Sequence, residues 1–134
     1  MTIPEISREE GISGHYVAKL MRVLRTGGLV KSARGQTGGY VLARAAENIL
    51  VGEALAVLGG RLYDPRFCAD HPGDVRTCTH SLDCSIRSLW RTLQGVVDQV
   101  LNQTTLKDLL VDEQQMTGWV DHLIQLQPTP PPEV

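Results

Sequence analysis

Aromatic side chains are scarce in this sequence of 134 residues, which contains one Phe, two Trp and three Tyr. Surfaces that bind single-stranded nucleic acid stack bases on several exposed rings, so the composition argues against that class of protein. Long apolar runs are also missing, so no membrane-spanning helix is predicted. The first residues, Met-Thr-Ile-Pro-Glu-Ile, lack the apolar stretch of a secretory signal, and we expect a cytoplasmic protein.

Cysteine is confined to one stretch, where it occupies positions 68, 78 and 84. An odd number of cysteines argues against a disulfide framework. Their clustering favours a metal or redox site, and the alternative is three small buried thiols. Catalytic signatures are absent: we find no nucleophile–base arrangement, phosphate loop or Rossmann motif, and we do not expect an enzyme.

The net charge of −2 conceals an asymmetry between the two parts of the chain. Residues 1–44 contain seven basic and three acidic residues, whereas residues 45–134 contain six basic and twelve acidic residues. A basic first third favours contact with a polyanion. A chance distribution of surface charge explains the same numbers equally well.

Two helices are predicted at the start of the chain. The first covers residues 2–10, with Thr2 and Glu5 as a capping box and Gly11 at its end. The second begins after Ser13 and stops at the glycine pair 27–28, and it has an apolar stripe of Val17, Leu20, Met21 and Leu24. This order and spacing are typical of a helix-turn-helix, although helical hairpins of this kind also occur in proteins that do not bind DNA.

Two short strands are predicted next, over residues 29–33 and 40–42, around a glycine-rich tip that begins with Arg34 and Gly35. A helix-turn-helix followed by such a hairpin is the winged-helix arrangement. An exposed arginine in the wing can enter a narrow minor groove, where the negative potential is greatest. An ordinary hairpin with a flexible tip is the alternative, and the position after two helices favours DNA binding.

The rest of the chain is predicted to contain a short helix over 51–58, an aperiodic loop over 61–83 and a long helix from Cys84 to Leu101. A capping box of Thr105 and Asp108 opens another short helix, and a weak helix covers 115–126. The long helix has more apolar surface than a small domain buries easily. It therefore favours pairing with the same helix of a second chain, with packing on its own body as the alternative; its stripe comprises Ile86, Leu89, Leu93, Val96, Val97, Val100 and Leu101.

These elements predict a mainly α fold, a winged helix-turn-helix with a two-stranded wing and a long dimerisation helix. We divide the chain into a DNA-binding domain over 1–60, a cysteine-containing sensor loop over 61–83, a dimerisation helix with its following short helix over 84–111, and a C-terminal tail over 112–134.

Several segments together resemble the IscR/NsrR (Rrf-type) family of winged-helix transcriptional regulators, over about residues 2–111. The segments are Gly11-Ile-Ser-Gly-His-Tyr, Leu24-Arg-Thr-Gly-Gly-Leu-Val, Ala33-Arg-Gly-Gln-Thr-Gly-Gly-Tyr-Val-Leu, Ile49-Leu-Val-Gly-Glu-Ala and Thr104-Thr-Leu-Lys-Asp-Leu-Leu, with the three cysteines between the last two. Members of the family normally have a further amphipathic helix at the start, which we expect this chain to lack.

The resemblance implies a bacterial homodimer that binds double-stranded promoter DNA. Ala18 stands where IscR-like members have Glu, so we expect a different sequence preference. For Tyr16 a packing role is an equal alternative. The DNA-binding residues carried over by position are Ser13, His15, Tyr16, Arg34 and Gly35.

The resemblance also implies an iron–sulfur cluster, [2Fe–2S] or [4Fe–4S], that senses iron–sulfur, redox or nitric oxide status and is ligated by Cys68, Cys78 and Cys84. Arg87 occupies the position of the usual fourth ligand, a histidine, and cannot ligate a metal. The candidates within this chain are His80, His71, Asp70 and Asp83, of which we favour His80; for each histidine a solvated loop position is the more common role. The other functions left open are a thiol-redox or zinc-bound regulator without a cluster, and a dimeric interaction protein that has lost DNA binding.

Overall fold

Side-chain caps define the first two helices of the computed structural model, which describes residues 1–35, 38–64, 66 and 83–125. Helix α1 covers Ile3–Glu10, and the predicted capping box is present: the Thr2 backbone N–H donates to the Glu5 carboxylate at 2.7 Å, and the Glu5 N–H donates to the Thr2 hydroxyl at 3.4 Å. Gly11 ends the helix at φ 66°, a conformation that favours glycine.

Helix α2 covers Gly14–Thr26 and is capped by Ser13, whose hydroxyl accepts from the Tyr16 N–H at 3.3 Å. Its apolar stripe is buried against α1 and the first strand. Val17 and Met21 of α2 form a cluster with Val30, and Ile3 and Ile6 of α1 pack against that cluster. One core therefore supports both helices and the start of the wing.

The wing is an antiparallel pair of β1, Val30–Ser32, and β2, Tyr40–Leu42. The first strand is shorter than the predicted span 29–33. At the start of β2 the Tyr40 N–H donates to the Met1 carbonyl at 2.7 Å. A Cβ on Gly39 would lie 2.6 Å from that carbonyl oxygen, and Gly39 has φ 126°, so only glycine fits this approach.

Three further helices complete the described part of the chain. Helix α3 covers Val51–Val57, α4 covers Ser85–Leu101 and α5 covers Glu113–Gln125. The element that follows Thr105 is a single 3-10 turn, Asp108–Leu110, rather than the predicted helix, and a second 3-10 turn, Ala46–Asn48, precedes α3. The architecture is thus mainly helical with a two-stranded antiparallel sheet, as predicted.

The buried residue of the long helix α4 is polar. Gln94 is buried, whereas Ile86, Leu89 and Leu93 of the apolar stripe are exposed. Val97, Val100 and Leu101 are half-buried. The described residues therefore leave much of the apolar face of α4 exposed. Among the described residues no helix combines the length and the apolar character needed to cross a bilayer.

Candidate DNA interface and cysteine site

The outward face of α2 is basic. At 3.6 residues per turn, His15, Lys19 and Arg22 fall on one side of the helix, opposite Val17 and Met21 in the core. All three basic residues are exposed, so each can reach a ligand in solvent. Lys19 and Arg22 were not among the predicted DNA-binding residues. Their i+4 and i+7 spacing from His15 is the sequence signal that places them on the same face of α2.

The predicted residues at the start of α2 are accessible too. Tyr16 is 50% exposed, so its ring is not a core residue. Ser13 uses its hydroxyl oxygen to accept from the Tyr16 N–H, which leaves the hydroxyl hydrogen able to donate to another acceptor. The first turn of α2 thus presents a hydroxyl, an imidazole and a phenol to solvent.

The predicted wing residues lie at the base of the tip. Arg34 and Gly35 are exposed, and the Gly38 N–H donates to the Gly35 carbonyl at 3.2 Å. The Arg25 guanidinium donates to the Ser32 hydroxyl at 3.4 Å, which connects the end of α2 to β1. The wing is therefore attached to α2 through this contact as well as through the shared core.

One of the predicted metal ligands lies within the described residues. Cys84 is a half-buried free thiol at the start of α4, where its sulfur accepts from the Arg87 backbone N–H at 3.4 Å. The other predicted ligands, Cys68, Cys78 and His80, lie outside the described residues. Within the described ranges no group of three or more His, Cys, Asp or Glu side chains could hold a metal ion.

A hydrogen-bonded clamp fixes the start of the cysteine-containing stretch to α4. The buried Gln94 side-chain oxygen accepts from the backbone N–H groups of Leu62 and Tyr63 at 2.8 and 3.0 Å. Its amide nitrogen donates to Asp98 at 2.7 Å, and Asp98 pairs with Arg61 at 3.1 Å. Residues 61–63 are thereby held to the middle of α4, while Cys84 stands at its beginning. Nothing in the local sequence pattern predicted this role for Gln94.

Comparison with known proteins identifies the family. A profile of the Rrf2 family, described as an iron-dependent transcriptional regulator, matches residues 1–112. The transcriptional regulator IscR of Photobacterium profundum is 35% identical over 127 residues, which cover 91% of this chain and 69% of that protein.

Two solved structures are similar in both sequence and fold. CymR, the global cysteine regulator of B. subtilis, superposes with a TM-score of 0.62 at 32% identity, covering 81% of this chain and 76% of that one. IscR of T. potens gives a TM-score of 0.61 at 34% identity, covering 82% and 68%. The chain, with its winged helix-turn-helix, belongs to the Rrf2 family of transcriptional regulators.

Proposed function

We propose that the chain binds double-stranded promoter DNA through α2 and the wing, with Ser13, His15, Tyr16, Arg34 and Gly35 at the interface. The observation that carries the proposal is the basic, exposed face of α2 opposite a buried apolar face. The major groove, about 12 Å wide, admits an α-helix, and the first residues of a recognition helix contact base edges there. Lys19 and Arg22, further along the same face, supply charge for the phosphates.

Arg34 has a different role in this proposal. It stands at the base of the wing, beyond the core that holds β1 and α2 together. A guanidinium inserted into a narrow minor groove gains from the strong negative potential between the phosphates. The wing then adds binding energy and a preference for groove width, while α2 contacts the bases.

The proposed DNA-binding form is a homodimer that pairs through α4. Exposed apolar residues recur along one side of that helix, with Ile86 67% and Leu89 56% exposed. Apolar surface of this extent on a helix marks a binding face. In a symmetric dimer the apolar face of α4 packs against the same face of α4 in the partner chain. The two copies of α2 then contact two half-sites about 34–36 Å apart.

The proposed sensor is an iron–sulfur cluster held by Cys68, Cys78 and Cys84, with His80 as fourth ligand. Thiolates are the ligands that iron–sulfur clusters use, and the family is described as iron-dependent. Cys84 supports the proposal because its thiol is free and stands at the start of α4, directly after the cysteine-containing stretch. When bound, the cluster would supply a group that responds to iron supply, oxidants and nitric oxide. In this proposal the chain regulates transcription in the cytoplasm according to the state of the cluster.

A second candidate function keeps DNA binding and replaces the cluster with thiol chemistry or zinc. The observation that favours it is the similarity to CymR, a cysteine regulator, which superposes with nearly the same TM-score as IscR. Arg87 adds support, since its side chain offers no ligand atom to a metal. Oxidation of Cys78 and Cys84 to a disulfide or sulfenic acid would then be the signal.

DNA binding is tested with a duplex that the protein selects from a random-sequence pool. The affinity for that duplex is then measured across a series of salt concentrations. We expect a linear fall of log affinity with log salt, and Arg34→Ala should reduce the slope by about one ion. Arg91→Ala, an exposed arginine on α4, is the matched control and should leave the slope unchanged. Absence of salt-dependent binding to any duplex would instead support an interaction protein that does not bind DNA.

The cluster is tested by visible absorption of protein purified without oxygen, with iron and sulfide assayed on the same sample. Broad visible absorption with matched iron and sulfide is expected, and it should be lost in Cys84→Ser. Serine keeps a hydroxyl that can cap α4, so the variant removes the ligand rather than the helix. A colourless protein whose Cys78 and Cys84 change mass on oxidation would favour the thiol alternative.

A further inference from the structure

Helix α4 is connected to the winged-helix unit through a short pairing of backbone segments, which we call the joint (residues 49–52 and 101–106). The Val51 N–H donates to the Thr104 carbonyl at 2.8 Å, and the Leu106 N–H donates to the Ile49 carbonyl at 2.9 Å. Leu50 and Thr105 face each other as an antiparallel bridge. The two segments are therefore fixed relative to each other by backbone bonds rather than by flexible side chains.

Glycines mark two close approaches on either side of α3. A Cβ on Gly52, in α3, would collide with the Asn102 side-chain oxygen and lie 3.3 Å from the Leu101 Cβ at the end of α4. A Cβ on Gly27, directly after α2, would lie 2.7 Å from a Val57 methyl of α3. Helix α3 thus stands between the end of α2 and the end of α4, and a carbon atom added at either glycine would require a neighbour to shift: the Val57 methyls at Gly27, and the Asn102 side chain with Leu101 at Gly52.

Helix α5 is fastened to the same joint. The Thr104 side chain is 4% exposed, and its hydroxyl donates to the Val100 carbonyl at 2.9 Å. The same hydroxyl accepts from the Trp119 indole N–H of α5 at 3.2 Å. The family profile ends at residue 112 and α5 begins at Glu113, so this contact comes from outside the matched region.

We infer that the joint and Trp119 are positioning elements for DNA binding: they fix the direction of α2 relative to α4 and so set the half-site spacing that a dimer accepts. The inference rests on the proposed function, because spacing has meaning only for a dimer that binds DNA. Its physical basis is that α3 packs against the end of α2 at Gly27 and against the end of α4 at Gly52, so a shift of α3 would change the direction of α2 relative to α4 without any change in a DNA-contacting residue.

The test compares two duplexes: the site selected by the wild-type protein from a random-sequence pool, and the same site with one base pair inserted between its half-sites. The insertion displaces the half-sites by about 3.4 Å and rotates them by about 35°. We expect the wild-type protein to prefer the original duplex by at least about tenfold. In Gly52→Ala the added Cβ should reduce that preference to about twofold or less.

Two further variants complete the design. Gly118→Ala is the matched control, since this glycine lies in α5 and a Cβ added there would have no atom within 4 Å, so the wild-type preference should persist. Trp119→Phe keeps an aromatic ring and removes the indole donor, and it should lower the preference in the same direction by a smaller factor. This variant decides the matter if circular dichroism shows that Gly52→Ala does not fold.

The ratio of the two affinities separates positioning from stability. A variant that is merely less stable contains less active protein, which lowers both affinities equally and leaves the ratio unchanged. Unchanged ratios in the folded variants, with a wild-type protein that discriminates, would overturn the inference alone. A wild-type protein that selects no duplex with paired half-sites would overturn the proposed function, and the inference with it.

Discussion

Helices α2 and α4 have the same kind of amphipathic pattern but different surroundings. The apolar stripe of α2 is covered by its own chain, with Val17 1% and Met21 9% exposed. The stripe of α4 is open, with Ile86 67% and Leu89 56% exposed. An amphipathic pattern therefore establishes that a helix has an apolar face, and the neighbouring elements decide what covers it.

The neighbours differ because of what lies beside each helix in sequence. Helix α1 precedes α2 by a short turn, β1 follows it directly, and both pack onto the stripe. Helix α4 contacts the described body of the chain through α3, α5 and the polar Gln94, and none of these covers the apolar side fully. The apolar stripe of α2 is thus covered by elements of the same chain, whereas much of the apolar side of α4 stays exposed among the described residues and is the face that the proposed dimer would cover.

The largest effect is expected from a cavity in the covered stripe. Met21→Ala should lower the free energy of unfolding by about 2–5 kcal/mol, because the core around Val17 and Val30 cannot fully close over the lost side chain. Denaturant unfolding at several protein concentrations measures it. Leu110→Ala, at a side chain that is 83% exposed, is the control and should change stability by less than about 0.5 kcal/mol. Equal effects at the two positions would contradict the contrast between covered and open surfaces.

A charge on the open stripe should act on association instead. Leu89→Lys is expected to raise the dimer dissociation constant by about 100-fold or more, since an unpaired ammonium in an apolar interface is strongly unfavourable. Sedimentation velocity across a dilution series measures this change. Gln99→Lys places the same charge elsewhere on α4, at an exposed polar position, and should leave the dimer intact. A dimer that persists in Leu89→Lys would show that α4 does not pair through its apolar side.

Local chemistry explains how much of the fold could be predicted from the sequence. The caps at Thr2, Ser13 and Gly11 act within a few residues, so α1 and α2 were predicted with nearly the observed bounds. The burial of Gln94 and the contact of Trp119 with Thr104 depend on residues distant in sequence, and no local pattern specifies them. The turn after Thr105 has the predicted side-chain pair but makes only one 3-10 turn.

The candidate site was predicted unevenly for the same reason. Ser13, His15 and Tyr16 could be placed at a helix start because capping is local, and Lys19 and Arg22 needed the periodicity of α2 to be applied to charges as well as to apolar residues. For Cys84 the structure adds its position at the start of α4. The assignments to Cys68, Cys78 and His80 stay predictions, as do the DNA contacts.

The hydrogen bonds of the buried Gln94 hold α4 to residues 61–63, whereas an apolar core holds α2 to its neighbours. The contribution of Gln94 to stability is therefore the next measurement. Gln94→Met keeps the length of the side chain and removes its acceptor, which leaves the N–H groups of Leu62 and Tyr63 without their partner. We expect a loss of about 1–3 kcal/mol in the free energy of unfolding. Gln99→Met, at an exposed position of α4, is the control. Hydrogen exchange at Leu62 and Tyr63 should accelerate in Gln94→Met alone, and unchanged exchange would show that the clamp does not hold this segment.

The smallest effect is expected at Asp108, in the 3-10 turn that follows α4. The Thr105 backbone N–H and hydroxyl both donate to Asp108 at 2.8 Å, and these bonds hold the pKa of that carboxyl below its usual value. A lowered pKa means that the unfolded chain binds the proton more tightly. The contribution to stability is therefore present above the unfolded pKa of about 3.9, and it is lost as the pH falls through the lower pKa of the folded state.

Asp108→Asn should accordingly lower the melting temperature slightly at neutral pH, and the gap from the wild-type protein should narrow as the pH falls below about 4. Thr105→Ala should reproduce part of the neutral-pH loss, since it removes the hydroxyl donor and keeps the backbone N–H. Thermal melts of the three proteins from about pH 3 to about pH 7 provide the measurement. A gap that widens on acidification would contradict the assignment. A loss confined to neutral pH would show that the charged form of Asp108 stabilises the fold through its bonds to Thr105, the residue that also pairs with Leu50 in the joint.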